Sequence, residues 1–144
     1  MIDTYDLDRF LEAQEQVYSD ALREIRNGRK QSHWMWFIFP QVLGLGQTET
    51  SRYYAIKSRE EAAAYLSHPT LGSRLLEVSE ALLSVRNKSA REIMGTPDDL
   101  KLKSCMTLFG QVSDNQVFGQ VLDHYFNGEK DTRTIQILGE LGEK

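Results

Sequence analysis

Two stretches of this chain carry residues whose types and spacing could do chemistry. The first runs Lys30-Gln31-Ser32-His33-Trp34-Met35-Trp36-Phe37-Ile38-Phe39-Pro40-Gln41, an aromatic block flanked by a lysine, a histidine and an amide. Tryptophan offers a flat face for stacking and an N–H that needs an acceptor. Ligand pockets pair such apolar walls with a few polar anchors, which makes Lys30, Ser32, His33, Trp34, Trp36 and Gln41 candidate ligand-binding residues. Core packing is the plainer reading for most of the ring atoms. The second stretch is TPDDLKLKSCMTLFGQ, residues 96–111. At about 100° per residue, Leu102, Cys105, Met106, Leu108 and Phe109 fill one helical arc, and Lys101 falls inside it. A lysine there either snorkels its ammonium to water or reaches into a cleft to bind an anion or donate a proton. Ser104 and Thr107, toward the polar side, join the ligand-binding candidates, and His33 and Lys101 are the candidate catalytic, proton-transfer groups. Cys105 sits deep in the apolar arc, where a thiol is inert. The basic cluster Arg26-Asn27-Gly28-Arg29-Lys30 complements a helix C-terminus, and it would equally attract a phosphate.

Several chemistries are excluded. There is no Cys-x-x-Cys, His-Glu-x-x-His, Walker loop or Gly-x-Ser-x-Gly, and His33, His68 and His124 are scattered, so no metal or cofactor is expected. Gly44-Leu45-Gly46 lacks the third glycine and the strand-to-helix setting of a dinucleotide loop. With 17 basic and 21 acidic residues the net charge is −4, which argues against nucleic acid as a partner. The longest apolar run, Trp34 to Phe39, is far short of the roughly 20 residues a membrane span needs. A single cysteine and an acidic start, Met1-Ile2-Asp3-Thr4-Tyr5-Asp6, point to a cytoplasmic setting. Oligomeric state leaves no signal.

The elements that must position these residues are helices. Apolar positions recur at three and four over 6–27, a stripe closed by Asn27-Gly28. The segment 28–50 is broken by Pro40, Gly44 and Gly46 and reads as irregular, with 33–39 either extended or a short helix. Ser58-Arg59-Glu60-Glu61 reads as a capping box for a helix ending near His68-Pro69. Leu71, Leu75, Val78, Leu82 and Val85 mark a further stripe ending around Asn87, and Ala90 to Met94 a short helix stopped by Gly95. Thr96-Pro97-Asp98-Asp99 reads as an N-cap, a first-turn proline and two carboxylates at the positive helix end, opening a helix to about Phe109. Helices over 114–127 and 132–141 follow, each closed by a glycine. With no repeat or linker, the 144 residues predict one all-α domain of about six to eight helices.

Read in order, several blocks resemble a known bacterial family. They are Ser32-His33-Trp34-Met35-Trp36-Phe37-Ile38-Phe39-Pro40-Gln41, then Tyr65-Leu66-Ser67-His68-Pro69 with Arg74-Leu75, and Ser104-Cys105-Met106-Thr107-Leu108-Phe109. The likeness is to the domain of unknown function 1810, and it spans the chain from about Leu7 to Leu138. It implies a mostly helical single domain and no particular activity. Members of that family have been labelled calpastatin-like. Calpastatin repeats are disordered charged segments, whereas this chain is patterned for a core throughout. A fainter likeness is to the NADAR family, helical proteins acting on ADP-ribose or related N-glycosides. Its blocks are matched in order by Ser32 to Phe37, Glu61-Ala62-Ala63-Ala64 and Asp98-x-x-Lys101 with Met106 and Phe109, though no acidic residue lies between Lys30 and Gln47.

These readings converge on a nucleotide-like or ADP-ribose-like small molecule held in a cleft between 30–46 and the helix 97–109. Trp34 or Trp36 would stack on its flat group, and Lys30, His33 and Lys101 would meet phosphate or ribose oxygens. Hydrolysis of an N-glycosidic bond would use His33 or Lys101. The alternative is a non-enzymatic protein-interaction module that exposes Trp34 and Trp36 in an apolar patch.

Overall fold

The apolar stripe expected to make one helix over 6–27 makes two, α1 (Asp8–Glu15) and α2 (Tyr18–Arg26). The stripe skips from Leu11 to Val17, and the gap holds Gln14, a buried amide that donates to Phe37 O at 2.7 Å and to the Tyr65 hydroxyl at 3.0 Å. A tight turn, Val17 N to Gln14 O at 3.1 Å, resets the helical phase so that both halves face the core. The computed structural model describes residues 4–142, which form ten helices and no strand.

The segment 28–50 is less irregular than its glycines suggested. Residues 33–39 take the helical alternative as α3 (Met35–Ile38), which stops just short of Pro40. A second short helix, α4 (Glu49–Tyr53), opens where Thr48 Oγ1 accepts from Ser51 N at 3.1 Å. Val42, between the two, and Ile56, just after α4, form an isolated parallel bridge. These two short helices and the split N-terminal stripe raise the count above the expected range.

α5 (Arg59–Ser67) carries half of the expected capping box. Ser58 Oγ accepts from Glu61 N at 3.0 Å, but the Glu61 carboxylate turns inward to Arg9 at 2.6 Å and accepts from Lys57 N at 3.0 Å. α6 (Leu71–Ser84) packs directly on α5, so closely at their junction that a Cβ on Gly72 would lie 2.0 Å from Leu66 O. α7 (Ala90–Met94) has the complete box, Ser89 with Glu92, and ends at Gly95 with φ +78°. α8 (Asp98–Val112) runs a turn beyond its expected end. α9 (Val117–Phe126) begins later than expected because Asn115 Oδ1 first accepts from Val117 N at 2.9 Å, and it closes on a left-handed Asn127. α10 is Thr132–Gly142.

α8 is the axis of the fold and is packed by α5, α7, α9 and α10. Its predicted arc, Leu102, Cys105, Met106, Leu108 and Phe109, is wholly inaccessible. Burial goes further than the arc, because α10 and the turn before it cover the side expected to be polar, leaving Ser104 and Thr107 buried as well. Burial also raises the Cys105 thiol well above its ordinary pKa, so it stays protonated and inert. No helix among the described residues is long and apolar enough to cross a membrane.

Candidate functional site

The candidate site grows from one buried carboxylate on α2. Glu24 is 3% exposed and accepts four hydrogen bonds: from Gln31 N at 2.7 Å, Ser32 N at 3.0 Å, Ser32 Oγ at 2.6 Å and the Trp34 indole at 2.9 Å. Burial works to raise its pKa, but the donors from Ser32, Gln31 and Trp34 outweigh it and hold the group at about 2. The loop from α2 to α3 is therefore wound around Glu24. Two sequence candidates are spent on that anchor. Ser32 gives both its N–H and its hydroxyl to Glu24, and Trp34 is fully buried with its N–H committed.

What the anchored loop presents outward is Lys30, His33 and Trp36. Lys30 N bonds Ile93 O at 2.7 Å, which ties the loop to α7. Its ammonium donates to Ser32 O at 2.7 Å, pairs with Asp98 Oδ2 at 3.0 Å and lies 5.1 Å from the centre of the Trp34 ring. Asp98, in the first turn of α8, uses its other oxygen to meet Lys101 at 3.1 Å. Lys101 in turn stands 4.0 Å from the centre of the Trp36 ring, within cation–π range. An ammonium has three N–H donors. Lys30 commits two of them, and Lys101 commits one to Asp98 while facing the Trp36 ring. Each lysine keeps a donor for a further oxygen.

This clasp borders a cleft of about 300 Å³ lined by Lys30, His33, Trp34, Met35, Trp36, Phe37, Thr50, Asp98 and Lys101. His33 sits exposed at its rim. On the far side of the Trp36–Lys101 contact lies a second pocket of about 260 Å³, which Gln41, Ser104 and Asp131 share with those two residues. Gln41 is 7% exposed, and its amide nitrogen has no protein acceptor among the described residues. Gly46 explains part of the close packing here: a Cβ on it would lie 2.5 Å from the Ser51 hydroxyl and 3.7 Å from the Trp36 ring. Leu45 and Gly46 thus form a tight wall of this second pocket.

The structure brings Lys30, His33, Trp34, Trp36 and Lys101 to the first pocket, and Gln41 and Ser104 to the second. Thr107 lines neither. Its hydroxyl bonds Lys103 O at 2.8 Å and accepts from Asp131 N at 2.9 Å, which holds Asp131 in place. Of the two tryptophans that the interaction-module reading would expose, Trp34 is inaccessible and Trp36 is half-buried. Sequence reading missed Glu24, Thr50 and Asp131 and explained Asp98 as a helix-end charge. Asp131 alone had a signal, since it occupies the N-cap position ahead of the helix predicted from 132 and accepts from Thr134 N at 3.2 Å. No group of three or more His, Cys, Asp or Glu side chains among the described residues could hold a metal ion.

Comparison with known proteins gives the chain relatives. A crystal structure of the conserved hypothetical protein Rv1873 from Mycobacterium tuberculosis is similar at 48% identity, covering 95% of this chain and 99% of that one, with a TM-score of 0.94. No curated protein matches. The family described as "Protein of unknown function (DUF1810)" matches residues 4–138, and the chain belongs to it.

Proposed function

We propose that the protein binds a phosphorylated, nucleotide-like or ADP-ribose-like small molecule in the cleft between the 30–46 segment and α8. The observation that carries this reading is the Lys30–Asp98–Lys101 clasp beside Trp36. Two ammoniums share one carboxylate, so the clasp bears a net positive charge and keeps an uncommitted donor on each lysine. Lysine binds phosphate as a point charge with strong charge-assisted hydrogen bonds. The cleft volume of about 300 Å³ is at the lower bound of ligand pockets, and the adjoining 260 Å³ brings the pair into range for a nucleotide. Trp36 supplies the flat wall and His33 a polar group at the entrance.

Binding is the activity these groups support best. Both oxygens of Asp98 are engaged by ammoniums, so neither is free to activate water in the first pocket. Cleavage of an N-glycosidic bond would fall to His33 or Lys101 as proton-transfer group.

Calorimetric titration with AMP, ADP-ribose and adenosine tests the reading. The expected result is binding of the two phosphorylated ligands, weaker binding of adenosine, and loss of affinity in Lys101→Ala and His33→Ala. An absence of binding at millimolar ligand, or affinities untouched by both substitutions, would contradict it. Chromatography of the same mixtures for a released base or ribose phosphate tests hydrolysis.

A further inference from the structure

We infer that the second pocket is a sugar-hydroxyl subsite, which reads the ribose ring of a ligand whose phosphate sits on the lysine clasp. The inference rests on the phosphate-binding reading above and adds to it the residues that would recognise the sugar.

Three observations carry it. Gln41 is more than nine-tenths buried in the lining of this pocket, and its amide nitrogen has no acceptor among the described residues. Such a group costs stability where it stands, unless something bound supplies the partner. Asp131 is the second. Its Oδ2 accepts from Ser104 Oγ at 2.9 Å, from Thr134 N at 3.2 Å and from the Thr134 hydroxyl, whereas no donor among the described residues meets Oδ1. The carboxylate is fixed in place by one oxygen and offers the other. The third is the shared wall, since Trp36 and Lys101 line both pockets and a ligand crossing between them stays in contact with both.

The chemistry of these groups selects the ligand. A carboxylate oxygen requires a donor, and a carboxamide presents N–H on one side and C=O on the other. A hydroxyl both donates and accepts, so neighbouring hydroxyls on one ring satisfy Asp131 and Gln41 together. A second phosphate would be repelled by Asp131, and a wholly apolar group would leave the Gln41 amide nitrogen and Asp131 Oδ1 without partners. A neutral polyhydroxyl ring against Trp36, linked to an anion on Lys30 and Lys101, fits every group.

The test is titration of the intact protein with inorganic phosphate and ribose 5-phosphate by calorimetry, and with free ribose by 15N NMR of the Gln41 side-chain amide. Ribose 5-phosphate is expected to bind about tenfold tighter than phosphate, as two added hydrogen bonds would give. Gln41→Leu and Asp131→Asn should each reduce that margin, and the double variant should remove most of it, while phosphate still binds; asparagine keeps the cap of α10. Free ribose should shift the Gln41 amide signals by itself. Equal affinity for the two ligands, or a margin that survives both substitutions, overturns the subsite. If neither phosphate nor its ester binds, the clasp reading fails. A saturable ribose shift at Gln41 would then still support the subsite, and its absence would overturn that too.

Discussion

The Lys101 ammonium stands 4.0 Å from the centre of the Trp36 ring, and this contact joins the two blocks in which the sequence places its chemistry. An ammonium on the stem of a helix-start lysine normally reaches for open water. Here Asp98, a turn earlier on α8, draws it sideways at 3.1 Å, across the aromatic face. The same carboxylate fixes Lys30 at 3.0 Å, so one aspartate sets the spacing of both cations.

That geometry makes the two lysines interdependent. Lys30→Ala or Lys101→Ala should each weaken a phosphate ester by about tenfold or more, the worth of a charge-assisted hydrogen bond. Raising salt should weaken the wild type further, since both side chains are partly exposed. Calorimetry in low and high salt checks both effects.

Glu24 should make stability depend on acid. Its pKa falls from an ordinary 4.5 to about 2 on folding, so the folded state binds fewer protons than the unfolded chain between those values. The stabilisation, about 3 kcal/mol by linkage, is fully present above pH 4.5 and is lost as pH falls toward 2. Glu24→Gln removes the charge and keeps an acceptor for Gln31 N, Ser32 N and the Trp34 indole, while its amide N–H2 replaces the oxygen that accepts from the Ser32 hydroxyl. Denaturant midpoints at pH 7 and pH 3 should converge between wild type and this variant, mostly through loss in the wild type.

Arg9 and Glu61 form a buried pair at 2.6 Å, with side chains 2% and 3% exposed. Arg9 also donates to the carbonyls of Tyr5, Asp6, Tyr53 and Ala55, so one guanidinium ties α1 to the chain around α4 and α5. Arg9→Met strands the Glu61 carboxylate and should cost about 3–5 kcal/mol, as removal of one partner of a buried pair does. Urea denaturation measures it. The double variant Arg9→Met with Glu61→Leu should recover part of the loss.

Gly72 is a positional requirement. A Cβ there would lie 2.0 Å from Leu66 O, and backbone cannot give way as a side chain can. Gly72→Ala should destabilise by at least about 1–3 kcal/mol, whereas Gly119→Ala, whose Cβ meets nothing within 4 Å, should be neutral or slightly stabilising. Thermal melts of the two variants side by side decide it.

The helices α7 to α10 were legible because each has a start or stop of local origin, such as Gly95 after Met94 or Asn127 in the left-handed region. Less legible was anything decided by tertiary packing. Gln14 breaks the first helical stripe only because Phe37 O and the Tyr65 hydroxyl come within its reach. Ser104 and Thr107 look polar-facing on a helical wheel, and α10 with its preceding turn covers them. The site follows the same division. Lys30, Trp36 and Lys101 stand out by residue type against apolar neighbours. Glu24 does not, because a glutamate in the middle of an amphipathic helix looks solvated until the following loop folds back onto it. Trp34 and Ser32 were legible as a polar-edged aromatic block, but which tryptophan turns inward is decided by that hidden carboxylate.

The two tryptophans supply the most direct measurement, because one indole is locked and the other lines both pockets. In the 15N spectrum of labelled protein titrated with ADP-ribose, the Trp36 indole signal should shift saturably, and Lys101→Ala should reduce the response. The Trp34 indole, held by Glu24 at 2.9 Å, should move far less. A Trp36 signal that stays fixed up to millimolar ligand would contradict a nucleotide-like ligand in this cleft.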